Sequence, residues 1–247
     1  MRRALFLLLL TAFSFFPLPA RDRDSLMVRE GERFRWPQLA VPAVLMTAGA
    51  VGVGNPWIVR EINAPVRDWG RGFDQGWNFD VEDGLQYVSN AVFLLAPGGR
   101  RDHGFGERTL ILATSWLSLG IMVNTIKYTV RDMRPDLSAR NSFPSGHTAT
   151  AFMGAELVRK EFGPWWGTGA YILAAGTGFL RIVHDRHWFN DVLGGAAVGI
   201  LCANIGYWLL PYERRLFPCI PASLTVVPRI GNGLDAPEYG FALSWVF

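Results

Sequence analysis

The chain has 247 residues, of which 50% are hydrophobic and only 18% charged, with a formal net charge of +3. A soluble domain carries about 25% charged residues, so the deficit points to a membrane and excludes a disordered tail or a nucleic-acid binder working through a basic surface. Two cysteines, Cys202 and Cys219, exclude a disulfide-stapled mini-protein and offer no metal-binding spacing.

The first 20 residues read as a targeting segment: Arg2 and Arg3, an apolar stretch over 4–16, then Pro17-Leu18-Pro19-Ala20. This is the order of a secretory signal peptide. Leu18 occupies a place where a cleavage site prefers a small residue, so 1–20 is either a cleaved signal or a signal anchor. Residues 21–217 then form one helical domain and 218–247 an appendage.

Uncharged windows mark the apolar helices, because a spanning helix needs about 20 mainly apolar residues. Six such windows occur, at 36–59, 84–99, 109–126, 141–155, 163–180 and 192–212. The expected fold is all-α, a six-helix bundle embedded in a membrane. Arginines and Lys160 gather in 21–35, 100–108, 156–161 and 213–215, which marks one side as cytoplasmic. The acid-rich 60–83 loop and the 127–140 loop fall on the other side. Beyond Pro221 the pattern changes to short alternating runs around Gly231-Asn232-Gly233, a turn signal that predicts a small β-hairpin.

The residues able to do chemistry lie between 127 and 191. Lys127 closes an apolar helix, and Arg134 follows seven residues later, before Pro135. Pro144-Ser145-Gly146-His147 leads directly into an apolar stretch, which puts it at a helix N-terminus where backbone N–H groups bind anions. Gly146 lets a ligand come close, and the Ser145 hydroxyl can cap the helix or reach the ligand. His147 places a titratable group in apolar surroundings. Arg181 ends the next apolar helix, and His187 and Asp191 stand four apart at the start of the last one. On a helix that spacing puts both on one face, where the carboxylate can take the Nδ1 proton and leave Nε2 as an aimed nucleophile or base.

Singly, these features are ordinary: a cation at a helix end, a helix start, a His-Asp pair. Together they supply three cations for a phosphoryl group, and spreading charge over phosphoryl oxygens is the main task of phosphoryl transfer. No nucleotide-binding glycine loop and no zinc-hydrolase motif occurs. His184 beside His187 lacks further ligands, so no metal and no cofactor are expected.

Lys127-x6-Arg134-Pro135, Pro144-Ser145-Gly146-His147 and Arg181-x5-His187-x3-Asp191 resemble, in order and separation, the three signatures of the type 2 phosphatidic acid phosphatase and vanadium haloperoxidase superfamily. Leu180 departs from them, standing where the family usually has serine. The resemblance implies a metal-independent phosphohydrolase acting on phosphomonoesters or pyrophosphates of membrane lipids through a phosphohistidine. His187 would attack phosphorus, oriented by Asp191, and His147 would protonate the leaving oxygen and then activate water. Lys127, Arg134, Arg181 and the Ser145 and Gly146 amides would hold the phosphoryl oxygens. It also implies an inner-membrane protein of the bacterial envelope with a periplasm-facing site. The implied partners are a lipid phosphate or small phosphomonoester and the membrane, with no nucleic acid. The alternatives are a soluble periplasmic acid phosphatase of broad specificity, a vanadium haloperoxidase and a non-enzymatic membrane protein.

Overall fold

A computed structural model describes residues 33–71, 81–100, 103–217, 223–232 and 237–246. Its helical part is built from α1 (Ala40–Gly52), α2 (Ala64–Arg71), α3 (Val81–Leu95), α4 (Phe105–Val130), α5 (Gly146–Phe162), α6 (Pro164–Val183) and α7 (Phe189–Leu216). Each uncharged window carries a helix. The stretch from Pro56 to Arg71 is also helical, and its charges hid it from a reading based on uncharged windows.

Among the described residues, two helices, α4 and α7, are long and apolar enough to cross a membrane. They become three if Trp36–Gly52 and Pro56–Gly70, bent by 91°, form one broken span. The two long helices sit differently, since 22% of the apolar window of α4 is buried inside the protein against 72% of that of α7. α7 is therefore central and packs on α1, α4 and α5, whereas α4 turns Leu117, Ile121 and Tyr128 outward. With Val41, Val44, Trp165 and Ile172 also exposed, this apolar surface suits hydrocarbon rather than water and marks a membrane protein.

Small residues let the helices close in. A Cβ on Gly195 of α7 would lie 2.5 Å from the Ser145 carbonyl, and one on Gly194 2.5 Å from the Phe143 ring. Bare backbone at these positions brings the second turn of α7 against the start of α5. Gly195→Ala is therefore expected to lower stability by about 1–3 kcal/mol, read as a lower thermal-unfolding midpoint in detergent. An unchanged midpoint would contradict this packing.

At the other end of α5, Glu161 is fully buried and accepts from His103 Nδ1 (2.7 Å), Arg108 Nη2 (3.3 Å) and the Tyr207 hydroxyl (3.1 Å). Burial works against this carboxylate, but its partners hold its pKa below the usual value. Arg108 also donates to the carbonyls of Ala96 and Gly98, satisfying the end of α3.

Near the C-terminus, β1 (Ser223–Asn232) pairs antiparallel with β2 (Pro237–Val246), with Gly231 opposite Glu238 and Asn232 opposite Pro237. Gly231 and Asn232, expected in the turn, are thus strand residues. The chain joining the strands lies outside the described residues, as does the targeting segment expected over 1–20.

Candidate active site

The start of α5 is set by Ser145. Its hydroxyl accepts the Thr148 N–H at 3.4 Å and the Thr148 hydroxyl at 2.9 Å, so the serine acts as the helix cap. Its own N–H donates to the Asp191 carbonyl at 3.0 Å, tying α5 to the first turn of α7. The first-turn amides at Gly146 and His147 remain the kind of donors that helices leave without an intrahelical partner. A Cβ on Gly146 would meet only Val123, at 3.9 Å, so there is room in front of this turn.

α6 carries Arg181 in its last turn and ends at Val183. The carbonyl of Arg181 accepts the N–H groups of both Arg186 and His187, at 3.0 and 3.1 Å, which folds the connection to α7 back on itself. Asp185 in that connection adopts a left-handed φ of 55°. His187 is therefore not on a helix, contrary to the sequence expectation, because α7 begins only at Phe189. The i, i+4 spacing holds, but Trp188 is the N-cap and Asp191 serves it, accepting the Trp188 N–H at 2.8 Å.

That capping also changes how Asp191 meets His187. Asp191 Oδ2 lies 3.4 Å from His187 Nδ1, an ion-pair distance, and this nitrogen makes no hydrogen bond although it is buried. The same oxygen accepts the Ser142 hydroxyl at 2.5 Å, and Oδ1 faces Asn190 Nδ2 at 3.3 Å. The carboxylate is thus fixed from several directions before it reaches the imidazole.

The cations converge from three elements. Lys127 Nζ donates to the Asn141 carbonyl at 2.5 Å, and Arg134 Nε donates to the Asn141 side-chain oxygen at 2.9 Å. Arg181, from α6, completes the set. His187 is 2% exposed, and burial together with Lys127, Arg181, Arg134 and His147 holds its pKa well below the ordinary value of 6.5. Its imidazole is accordingly neutral at physiological pH, as a nitrogen nucleophile requires. In the loop, burial and the nearby Asp191 push the Asp132 carboxyl up to about 6.

A cavity of about 510 Å³ opens beside these residues, lined by Arg134, His147, Arg181 and Arg186 together with Asp83, Gln86 and Tyr87 of α3. Lys127 lines a second cavity of about 390 Å³ together with Asn124, Tyr128, Arg131, Arg140 and Asn141. Of the residues expected from sequence, Arg134, His147 and Arg181 share one cavity and Lys127 lines the other, while Ser145, which precedes Gly146, and His187 both meet Asp191.

Motif reading missed the acids on the first turn of α3. Glu82 is fully buried; its Oε1 takes Arg181 Nη1 at 3.2 Å and His184 Nδ1 at 2.7 Å. Asp83 Oδ1 lies 2.7 Å from His147 Nε2 and 3.8 Å from Arg181 Nη1. Two carboxylates directly before an uncharged window were the available signal, because acids favour a helix's first turn. The pKa of His147 lies below 6.5, held down by burial and Arg181 and partly restored by Asp83. Among the described residues no group of three or more His, Cys, Asp and Glu is placed to hold a metal ion.

The model of one family, the PAP2 superfamily, matches residues 108–215. A curated relative, a lipid A 1-phosphatase of Porphyromonas gingivalis, is 45% identical over 135 residues, covering 51% of this chain and 30% of that protein. The match thus spans less than a third of the relative's length. In fold, the chain is similar to the crystal structure of a transmembrane PAP2 type phosphatidylglycerolphosphate phosphatase from Bacillus subtilis. The TM-score is 0.51 at 17% identity, over 74% of this chain and 98% of that one. LpxE of Aquifex aeolicus matches with a TM-score of 0.47 at 20% identity, over 59% of this chain and 94% of that one. Residues 108–215, the helical region that carries all three signatures, are what the PAP2 superfamily model matches.

Proposed function

We propose that this protein is a membrane phosphatase that removes phosphate from a lipid phosphomonoester or pyrophosphate through a phosphohistidine. The observation that carries this reading is a buried His187 whose charged neighbours are Lys127, Arg134 and Arg181, with His147 lining the adjoining cavity. The relative's name, lipid A 1-phosphatase, supports a lipid phosphate as substrate.

In the first step His187 forms an N–P bond as the P–O bond to the leaving group breaks, and His147 gives its proton to the departing oxygen. In the second, His147 takes a proton from water, whose oxygen attacks phosphorus; the N–P bond breaks and phosphate leaves. Three cations and the first-turn amides of α5 offset charge on the phosphoryl oxygens, so the protein itself supplies the stabilisation a divalent metal gives elsewhere. The site faces the periplasmic side of a bacterial inner membrane, consistent with the basic segments grouped on the opposite side.

The test is phosphate release by purified protein from a panel of lipid and soluble phosphoesters, with and without EDTA. Release from lipid substrates that is indifferent to EDTA is expected; loss of activity in EDTA, or no release from any substrate, sinks the reading. Acid catalysis by His147 also fixes a pH dependence. His147 must be protonated for the first step and its pKa lies below 6.5, so kcat/KM falls as pH rises through that value. Asp83 raises this pKa, so Asp83→Asn moves the falling limb to still lower pH. A limb that stays put or moves up would contradict the pairing.

A further inference from the structure

The motif residues treat a phosphomonoester and a pyrophosphate alike, because both present the same terminal phosphoryl group to His187. What differs is the leaving group: a neutral alcohol in one case, a phosphate carrying its own negative charge in the other. Resting on the mechanism above, the leaving group lies on the His147 side, so whatever surrounds His147 discriminates between the two.

The charges there are unequally matched. Arg181 is held chiefly by the buried Glu82, with Nη1 to Oε1 at 3.2 Å, against 3.8 Å to Asp83. Arg186 faces Asp136 at 3.5 Å, and Arg134 is tied to Asn141. Glu82 is further shared with His184. Asp83 Oδ1 lies 2.7 Å from His147 Nε2 and farther, 3.8 Å, from Arg181 Nη1, and its side chain is 56% exposed at the cavity wall. Its Oδ2 has no hydrogen-bond partner among the described residues. The remaining neighbours on α3, Gln86 and Tyr87, are neutral.

We propose that Asp83 is a specificity-determining residue that sets the site for phosphomonoesters of lipid alcohols and against lipid pyrophosphates. Its carboxylate confronts the leaving group directly. A departing phosphate meets a like charge at the point where its own charge grows. A departing alcohol meets no such charge, and a neighbouring hydroxyl can donate to Oδ2. Water reaches this half-exposed carboxylate and screens it, so the discrimination is about tenfold rather than the much larger factor of a dry site.

The test compares kcat/KM for the monophosphate and the diphosphate of one isoprenoid alcohol, using the full chain in detergent micelles. Wild type should prefer the monophosphate, Asp83→Asn should shrink the preference about tenfold, and Asp83→Lys should reverse it. The exposed position makes both variants compatible with folding. A purely structural role leaves the ratio unchanged, and one acting only through the proton affinity of His147 leaves the preference undiminished at the low-pH plateau, where His147 is protonated in every variant; either result overturns the inference. Wild-type activity on neither substrate would instead remove the phosphatase reading itself.

Discussion

Replacing His187 with alanine is expected to lower phosphate release by at least about 10⁴-fold, because loss of a nucleophile removes the covalent route rather than one contact among several. The folded chain should tolerate the change. His187 Nδ1 is buried without a hydrogen bond, so truncation leaves no partner stranded except the Asp191 carboxylate, which Ser142 and Trp188 continue to satisfy. Unfolding temperature should therefore change little while turnover disappears. A short pulse of labelled substrate followed by alkaline quench should trap label on the wild-type protein, since a phosphoramidate survives base, and not on His187→Ala. Substantial residual turnover in the variant would mean that another group attacks phosphorus.

Arg181→Met is expected to act on both stability and rate. The guanidinium and the Glu82 carboxylate are 7% and 0% exposed, so removing the cation strands a buried charge. Such a loss costs about 3–5 kcal/mol, with the lower end expected here because His184 Nδ1 stays 2.7 Å from the same oxygen. Catalysis should fall by a further factor of about 10²–10³, the usual effect of deleting a preorganised partner of developing charge. The double variant Glu82→Gln/Arg181→Met separates the two effects. It should recover most of the unfolding temperature and none of the rate, whereas recovery of activity would show that Arg181 serves the fold and not the phosphate.

Much of this site was legible in the sequence because its parts are improbable where they stand. Lys127, Arg134, Arg181 and His147 carry charge or titrate at the margins of apolar windows, and the order of their motifs gave the resemblance. The helices were legible for the complementary reason: absence of charge marks what can be buried in hydrocarbon. Helix ends were not, since Glu107 and Lys127 lie inside α4, and Arg67 and Asp68 lie inside a helix that no uncharged window announces. The placement of His187 before α7 also escaped, because residue spacing does not say where a helix begins; the cap formed by Trp188 and Asp191 does. Their place before the 84–99 window marked Glu82 and Asp83 as first-turn acids of a helix, but not as partners of Arg181 and His147. Only folding, which sets α3 against α5 and α6, makes those pairings.

The buried carboxylate of Glu161 sits fourteen residues along α5 from His147, roughly 21 Å away at 1.5 Å per residue. Its bonds to His103, Arg108 and Tyr207 clamp one end of the rod, while the Ser145 to Asp191 bond clamps the other. A helix gripped at both ends can neither slide nor rotate about its axis. His147 is thereby kept in register with His187 and Asp191 by a cluster at the far end of the same helix.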